Sequence, residues 1–333
     1  MVALGWAVSG RLSDYNYHLP EQLIAQRPLP RRDDARMMVL DRISETVAHR
    51  RFTDLPEFVG PGDLLVLNDT RVLPARRFSD DGAVEFLFLE QLDAERWKCL
   101  VKPGRKMRPG VSTKLDSVLG RVEEICGAGE RIVRFEEPID PYRAGEVPLP
   151  PYLRRAPEAD DVIRYQTVYA RVPGAVAVPT AGLHFTPELL AELPHAFVTL
   201  HVGTGTFRPV QSEMIAEHRM HAERFEITAE TAEAINAADR ILAVGTTSVR
   251  VLEAAGCREG RLVPQKGATD IFIYPPYEFR MVDRLLTNFH LPRSTLLMLV
   301  AAFAGRDFVL RAYEEAVRER YRFYSYGDCM LIC

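Results

Sequence analysis

The chain has 333 residues, 47% of them hydrophobic and 26% charged, with a formal net charge of −4. These are the proportions of a globular protein with a real core, and they exclude disorder as the main state. The length suits one large domain or two ordinary ones. No apolar run is long enough for a bilayer span, and the longest, residues 296–304, is a core helix by length. Residues 1–9 are too short, and lack the positive flank, for a secretion signal. Cys99, Cys126, Cys257, Cys329 and Cys333 form no C-x-x-C pair. Neither a disulfide framework nor a metal site is indicated, and a reducing cytoplasm is expected. The net charge excludes a uniformly basic surface but not a local basic face.

In chain order, residues 17–75 read as mixed α/β. Residues 20–26 predict one helical turn, and residues 37–40 and 63–67 predict short buried strands. The second strand runs into the polar loop Asn68-Asp69-Thr70-Arg71, a position that often carries function. From about residue 76 to residue 135 the texture changes. Residues 84–89, 97–101, 120–125 and 131–135 are strand candidates at close spacing with no helical period. This pattern predicts a small antiparallel β-barrel, inserted as residues 76–149, with a proline-rich linker around 138–151. Residues 1–75 and 150–333 then form a discontinuous α/β domain built on a large mixed sheet. Within it, Thr186-Pro187-Glu188 is a strong helix start, and Thr228, Ser294 and Asp307 are further expected caps. Strands are expected at 199–202, 240–244, 270–274 and 285–287.

The polar residues gather where these strands end. Thr180 and Gly182 lie in the run to His184, which leads into a helix, and His201, Gly203 and Gly205 follow a strand. Gly245-Thr246-Thr247-Ser248-Val249-Arg250 joins a strand to a helix, and Thr287-Asn288-Phe289-His290 follows another strand. In open α/β sheets the ligand crevice lies beyond the carboxyl ends of the strands, so these loops predict one shared pocket. Backbone N–H groups and hydroxyls at residues 245–248 suit a carboxylate or phosphate, although the threonines could equally only cap the helix. A nicotinamide site is disfavoured, because Gly203-x-Gly205 lacks its third glycine, and no P-loop motif is present. Imidazole exchanges protons near neutral pH, so histidines in such loops are the natural acid–base groups. His218, His221 and Glu223 lie close together, but no further ligand is fixed by spacing. Lys102, Arg105, Lys106 and Arg108 cluster in the barrel segment, Arg154, Arg155 and Arg164 follow it, and Arg318, Arg320 and Arg322 interleave with aromatic residues near the end. Arginine beside aromatic residues suits phosphate contact and base stacking.

Eight runs together carry a family resemblance. They are residues 19–26, 67–72, 165–170, 179–186, 200–203, 245–250, 287–292 and 323–328, spread from residue 17 to residue 332. On them the chain resembles the S-adenosylmethionine:tRNA ribosyltransferase-isomerase family of queuosine biosynthesis. The resemblance implies that S-adenosylmethionine donates its ribosyl group to the aminomethyl nitrogen of 7-aminomethyl-7-deazaguanine at the tRNA wobble position. Epoxyqueuosine-tRNA, adenine and methionine are the products. It implies no metal or cofactor, S-adenosylmethionine being consumed as substrate, and a cytoplasmic enzyme, expected to be a monomer, that contacts no membrane.

The chemistry requires a base near the ribose 5′ carbon, a donor for departing adenine and a neutral acceptor amine. His184, His201 and His290 are the expected acid–base set, with Asp270 as a catalytic and Asp328 as an orienting carboxylate. Arg71, Arg250 and the hydroxyls of Thr246, Thr247 and Ser248 are expected to hold the methionine carboxylate or an RNA phosphate. Asn68, Asp69, Thr180, Gly182, Gly203, Gly205, Asn288 and Tyr324 complete the expected substrate site. Lys102, Arg105, Lys106, Arg154 and Arg155 are expected to contact tRNA. The competing readings are a non-catalytic tRNA-binding protein and an S-adenosylmethionine-dependent RNA methyltransferase. Three features depart from the family pattern: a short segment at 76–84, Thr204 in place of a bulky apolar residue, and Cys329 in place of a small one.

Overall fold

The computed structural model describes residues 10–203, 205, 210, 212–256 and 261–333. Thr204 and Cys257 lie outside these residues.

A hairpin comes first, β1 (Arg36–Asp41) and β2 (Thr46–Arg51), its turn held by the Asp41 carboxylate on the N–H groups of Ile43 and Ser44. Next is β3 (Asp63–Asn68), in which all six residues are buried, as expected of a strand covered on both faces. The short β4 (Thr70–Val72) follows. Six strands come next: β5 (Arg76–Phe78), β6 (Glu85–Gln91), β7 (Arg96–Lys102), β8 (Ser112–Leu115), β9 (Val118–Ile125) and β10 (Arg131–Phe135). They form one antiparallel sheet in the order β5-β6-β7-β10-β9-β8. Its side chains alternate, so that Phe86, Phe88, Trp97, Val133 and Phe135 make a core of their own. The sheet curls until its two edges approach. Beyond β5, Asp80 donates its N–H to the Lys114 carbonyl of β8 at 2.9 Å, and its carboxylate takes the N–H groups of Asp116 and Ser117.

The chain then returns through α1 (Asp161–Arg164) and β11 (Val172–Ala175), which pairs with β4. It continues as α2 (Pro187–Ala191), β12 (His195–Leu200), β13 (Glu223–Ile227), α3 (Ala229–Ala237), β14 (Arg240–Val244), α4 (Thr246–Ala255), β15 (Gln265–Thr269), β16 (Arg284–Asn288), α5 (Thr295–Ala304), α6 (Arg306–Arg318) and β17 (Cys329–Ile332). Nine strands build a mixed sheet in the order β15-β13-β12-β3-β14-β16-β17-β1-β2. Its centre, β12-β3-β14-β16, is parallel. Apolar clusters cover both faces, one containing Leu297, Phe289 and Tyr313, the other Phe52, Leu65 and Phe185.

The caps at Thr186, Thr228 and Ser294 form as expected, each hydroxyl accepting a backbone N–H three residues on. Three expectations change. Residues 270–274 form no strand: the Thr269 hydroxyl takes the Ile271 N–H at 3.1 Å and turns the chain out of the ladder, so the strand lies one segment earlier as β15. The strand expected at 199–202 ends at Leu200 and starts at His195. Gly305, at φ +87°, ends α5 and starts α6, which leaves Asp307 in the first turn rather than at the cap.

Candidate active site

A cavity of about 90 Å³ lies beyond the carboxyl ends of β12, β14 and β16. Its polar lining comes from Thr180, Thr246, Thr247, Thr287, Asn288 and His290, with Tyr152 and Tyr324 opposite and Val202 and Phe289 among the apolar walls. No Asp, Glu, Lys or Arg is among the described lining residues.

Gly245 makes the turn from β14 into α4. Its φ of +86° is one that glycine adopts freely, and its N–H donates to the Leu286 carbonyl at 2.7 Å. No side chain caps α4, so its first N–H groups face the cavity with the partial positive charge of a helix start. Of the expected hydroxyls, Thr247 Oγ1 is buried without a partner, and Thr246 lines the same wall. Ser248 is not available, because its hydroxyl donates to the Val244 carbonyl at 2.9 Å. The rings of Tyr152 and Tyr324, which also line the cavity, pack with centroids 4.1 Å apart and their planes tilted by 39°, and the Tyr324 hydroxyl is buried with no partner among the described residues.

The three histidines occupy three adjoining places. His290 lines the cavity, with Nε2 2.9 Å from the Thr287 hydroxyl, and burial pushes its pKa down to about 3. His184 stands one layer behind, its Nε2 3.1 Å from Asn288 Oδ1. The Asn288 amide nitrogen donates to the Tyr324 carbonyl at 2.8 Å. That bond turns Oδ1 toward His184 and fixes the imidazole proton on Nε2. Burial, reinforced by Arg322 and Arg32, pushes His184 down to about 4. His201 opens instead into a cleft of about 280 Å³ that also reaches Glu90, Lys98 and Glu130 of the six-stranded sheet. Its Nδ1 is 2.9 Å from the Thr70 hydroxyl, and burial lowers its pKa. Val202 is a wall of both the cavity and the cleft.

Several expected ligands already have partners within the protein, or lie away from the cavity. Asn68 is fully buried and ties Leu200 and Thr70 in place through its side chain. Asp69 is held by Thr199 and Arg171. Together they set Thr70 against His201. Arg250 pairs with Glu223 inside the protein, and Glu223 also accepts the Gly203 N–H at 2.7 Å. Gly203 and Gly205 border the cleft rather than the cavity. Gly182 is a packing position, where a Cβ would meet the Tyr169 hydroxyl at 2.0 Å. Asp328 accepts the N–H groups of Arg36 and Arg322, and burial pushes its pKa up. Asp270 lies exposed just past the edge strand β15, and Arg71 is exposed on β4. Neither lines the cavity. Lys102, Arg105 and Lys106 are exposed on the six-stranded sheet. Arg154 pairs with Glu21 and Arg155 forks onto buried Asp161. Sequence reasoning missed Tyr152, which lies just past the proline-rich linker with no local signal. Glu223 stands out in the sequence beside His218 and His221, but its pairing with Arg250 is not legible there, because Arg250 lies on α4, far along the chain.

A family model described as queuosine biosynthesis protein matches residues 12–332. The chain is 50% identical to the S-adenosylmethionine:tRNA ribosyltransferase-isomerase of Acetivibrio thermocellus, over 97% of this chain and 99% of that one. It is 51% identical to the protein of the same name from Pelobacter propionicus, over 96% and 99%. Among solved structures, S-adenosylmethionine tRNA ribosyltransferase from Thermotoga maritima is 41% identical, with 96% of this chain and 100% of that one covered and a TM-score of 0.55. On both the sequence match and the shared architecture, the chain belongs to the queuosine biosynthesis protein family.

Proposed function

We propose that the chain transfers and isomerises the ribosyl group of S-adenosylmethionine onto 7-aminomethyl-7-deazaguanine at the tRNA wobble position. The products are epoxyqueuosine-tRNA, adenine and methionine. The observation that carries the reading is the cavity itself: neutral walls, an uncapped ten-residue helix start and a buried histidine at the ends of three strands. A sulfonium cation fits a lining without competing cations, where the faces of Tyr152 and Tyr324 attract it. The methionine carboxylate fits the α4 N–H groups and the unpartnered Thr247 hydroxyl. His290, kept neutral by burial, is able to accept the proton that the sulfonium acidifies on the ribose 5′ carbon. His184 acts through Asn288 as a positioning residue. His201 faces the adjoining cleft, which Val202 separates from the cavity.

In this reading residues 76–149 form an inserted barrel unit. The exposed Lys102, Arg105 and Lys106 on it contact tRNA. The protein works as a cytoplasmic monomer without a metal or cofactor.

The test is incubation with S-adenosylmethionine and tRNA bearing the unribosylated deazaguanine, followed by mass analysis. Free adenine and methionine with ribosylated RNA are expected. S-adenosylhomocysteine with methylated RNA would instead make the chain a methyltransferase, and RNA binding without turnover would make it a non-catalytic binder. His290→Ala is expected to lower kcat by roughly 100-fold or more while circular dichroism stays unchanged. A near-normal rate would remove His290 from the chemistry.

A further inference from the structure

A small pocket of about 20 Å³ lies behind the main cavity, bordered by Arg32, Arg164, His184 and Ser325, with exposed Arg31 at its rim. His184 is the link between the two spaces, since its Nε2 bonds Asn288 of the cavity lining, and Ser325 is a wall of both. The arginines here differ from their neighbours in one respect. Arg27, Arg31, Arg154 and Arg155 each pair with a carboxylate. Arg32, Arg164 and Arg322 bond only to backbone carbonyls. Arg32 donates to Leu183 and Ile163, Arg164 to Leu29 and Pro30, and Arg322 to Arg27. Arg164 Nε and Arg322 Nη1 are buried with no partner at all.

Two half-buried guanidinium groups, Arg32 and Arg164, therefore border one pocket with no carboxylate bonded to either, and Arg322 lies near enough for its charge to act on His184. Asp160 and Asp328 act on Arg32 and Arg322 only at longer range, and Asp328 is already committed to two backbone N–H groups. Burial pushes both Arg32 and Arg322 below the ordinary arginine value, and for Arg32 the charge of Arg164 adds to it. Such an arrangement is unfavourable by itself and is relieved by an anion. Beside it, the tip of α1 exposes Val162 and Ile163 to solvent at 61% and 68%. Guanidinium groups without a carboxylate partner suit the phosphate oxygens of an RNA strand.

We propose that Arg32 and Arg164, with Arg322 behind them, form a phosphate subsite for the RNA strand whose modified nucleotide enters the main cavity. The inference rests on the reading of that cavity as the site of ribosyl transfer. A nucleotide with its base in the cavity would set a neighbouring phosphate on the far side of His184, so that one residue layer separates chemistry from anchoring.

The test measures binding of an anticodon stem-loop RNA by fluorescence anisotropy across a salt series, with Arg32→Gln, Arg164→Gln and, as control, the exposed Arg311→Gln. Each of the first two is expected to weaken RNA binding roughly five- to tenfold and to lower the salt slope by about one, whereas Arg311→Gln changes neither. KM for S-adenosylmethionine stays at the wild-type value. Should a glutamine variant fail to fold, Arg32→Lys keeps the cation without the fork and is expected to retain the salt slope with weaker binding. Unchanged affinity and slope in the folded variants overturn the proposal, as does a rise in KM for S-adenosylmethionine alone, which would assign the cluster to that substrate. Adenine release by the wild-type chain is scored separately, so failure of the ribosyl-transfer reading is visible independently of RNA affinity.

Discussion

The main cavity and the cleft beside His201 share Val202 as a wall, yet they are electrostatic opposites. The cavity is lined by neutral side chains, whereas the cleft meets Glu90, Lys98, Glu130, Glu223 and Arg224. The cavity is built wholly by strand-end loops of the nine-stranded sheet and the segments packed on them. The cleft forms where that sheet faces the six-stranded one. The difference teaches how one set of loops can border a neutral space and a charged one across a single side chain. Charge is kept out of the cavity and confined to the cleft, where Glu90, Glu130 and Glu223 outnumber Lys98 and Arg224.

The strongest way to break this contrast is at the ion pair that borders it. Arg250 and Glu223 have side chains only 5% exposed, and Glu223 also holds Gly203. Arg250→Met leaves a buried carboxylate alone and is expected to destabilise the fold by about 3–5 kcal/mol in urea unfolding. The double variant Arg250→Met with Glu223→Leu is expected to recover part of that loss. A cost below about 1 kcal/mol for the single variant would show that the pair does not hold the wall.

Acid sharpens the contrast next. His184 and His290, pushed down to about 4 and about 3 by burial, stay neutral in the folded protein, whereas the unfolded chain protonates them near 6.5. The unfolded state therefore binds more protons below pH 6.5, and stability falls as pH drops from there toward 4. The loss is up to about 1.4 kcal/mol per pH unit for each histidine. Buried Asp328, whose pKa is pushed up, partly offsets this. Denaturant unfolding at pH 7 and pH 5 reads the slope, and His184→Asn is expected to flatten it. An identical slope in that variant would mean His184 is not the buried neutral group described.

The smallest effect tests the cavity wall alone. Thr247→Val keeps the shape but removes a hydroxyl that has no partner among the described residues. It is expected to leave stability unchanged and to raise KM for S-adenosylmethionine about tenfold, the worth of one hydrogen bond of roughly 1–1.5 kcal/mol. An unchanged KM would detach the α4 start from substrate binding.

Much of this was legible in the residues. Strand-end loops at 180–184, 245–248 and 287–290 do meet, because a parallel sheet puts the carboxyl ends of adjacent strands side by side. The helix caps were readable because a cap is a local bond. What stayed hidden depends on partners far apart in sequence. Asn68, Asp69 and Asp328 look like ligands in a polar loop, but each is satisfied by backbone or side chains from another segment. His184 and His201 sit in the right loops and point to different compartments, since loop position does not fix side-chain direction. The strand expected at 270–274 is absent, because these residues are apolar enough to mimic one while Thr269 turns them away, and Asp270 therefore lies outside the sheet.

The place of β17 has a consequence for how the molecule assembles. The β1–β2 hairpin reaches the rest of the nine-stranded sheet only through β17, which lies between β1 and β16. On a ribosome the hairpin emerges early, but its hydrogen-bonding neighbour is residues 329–332. The amino-terminal strands must wait, with one edge unpaired, until nearly the whole chain has been made. Such a long sequence separation slows folding and leaves an open strand edge during synthesis.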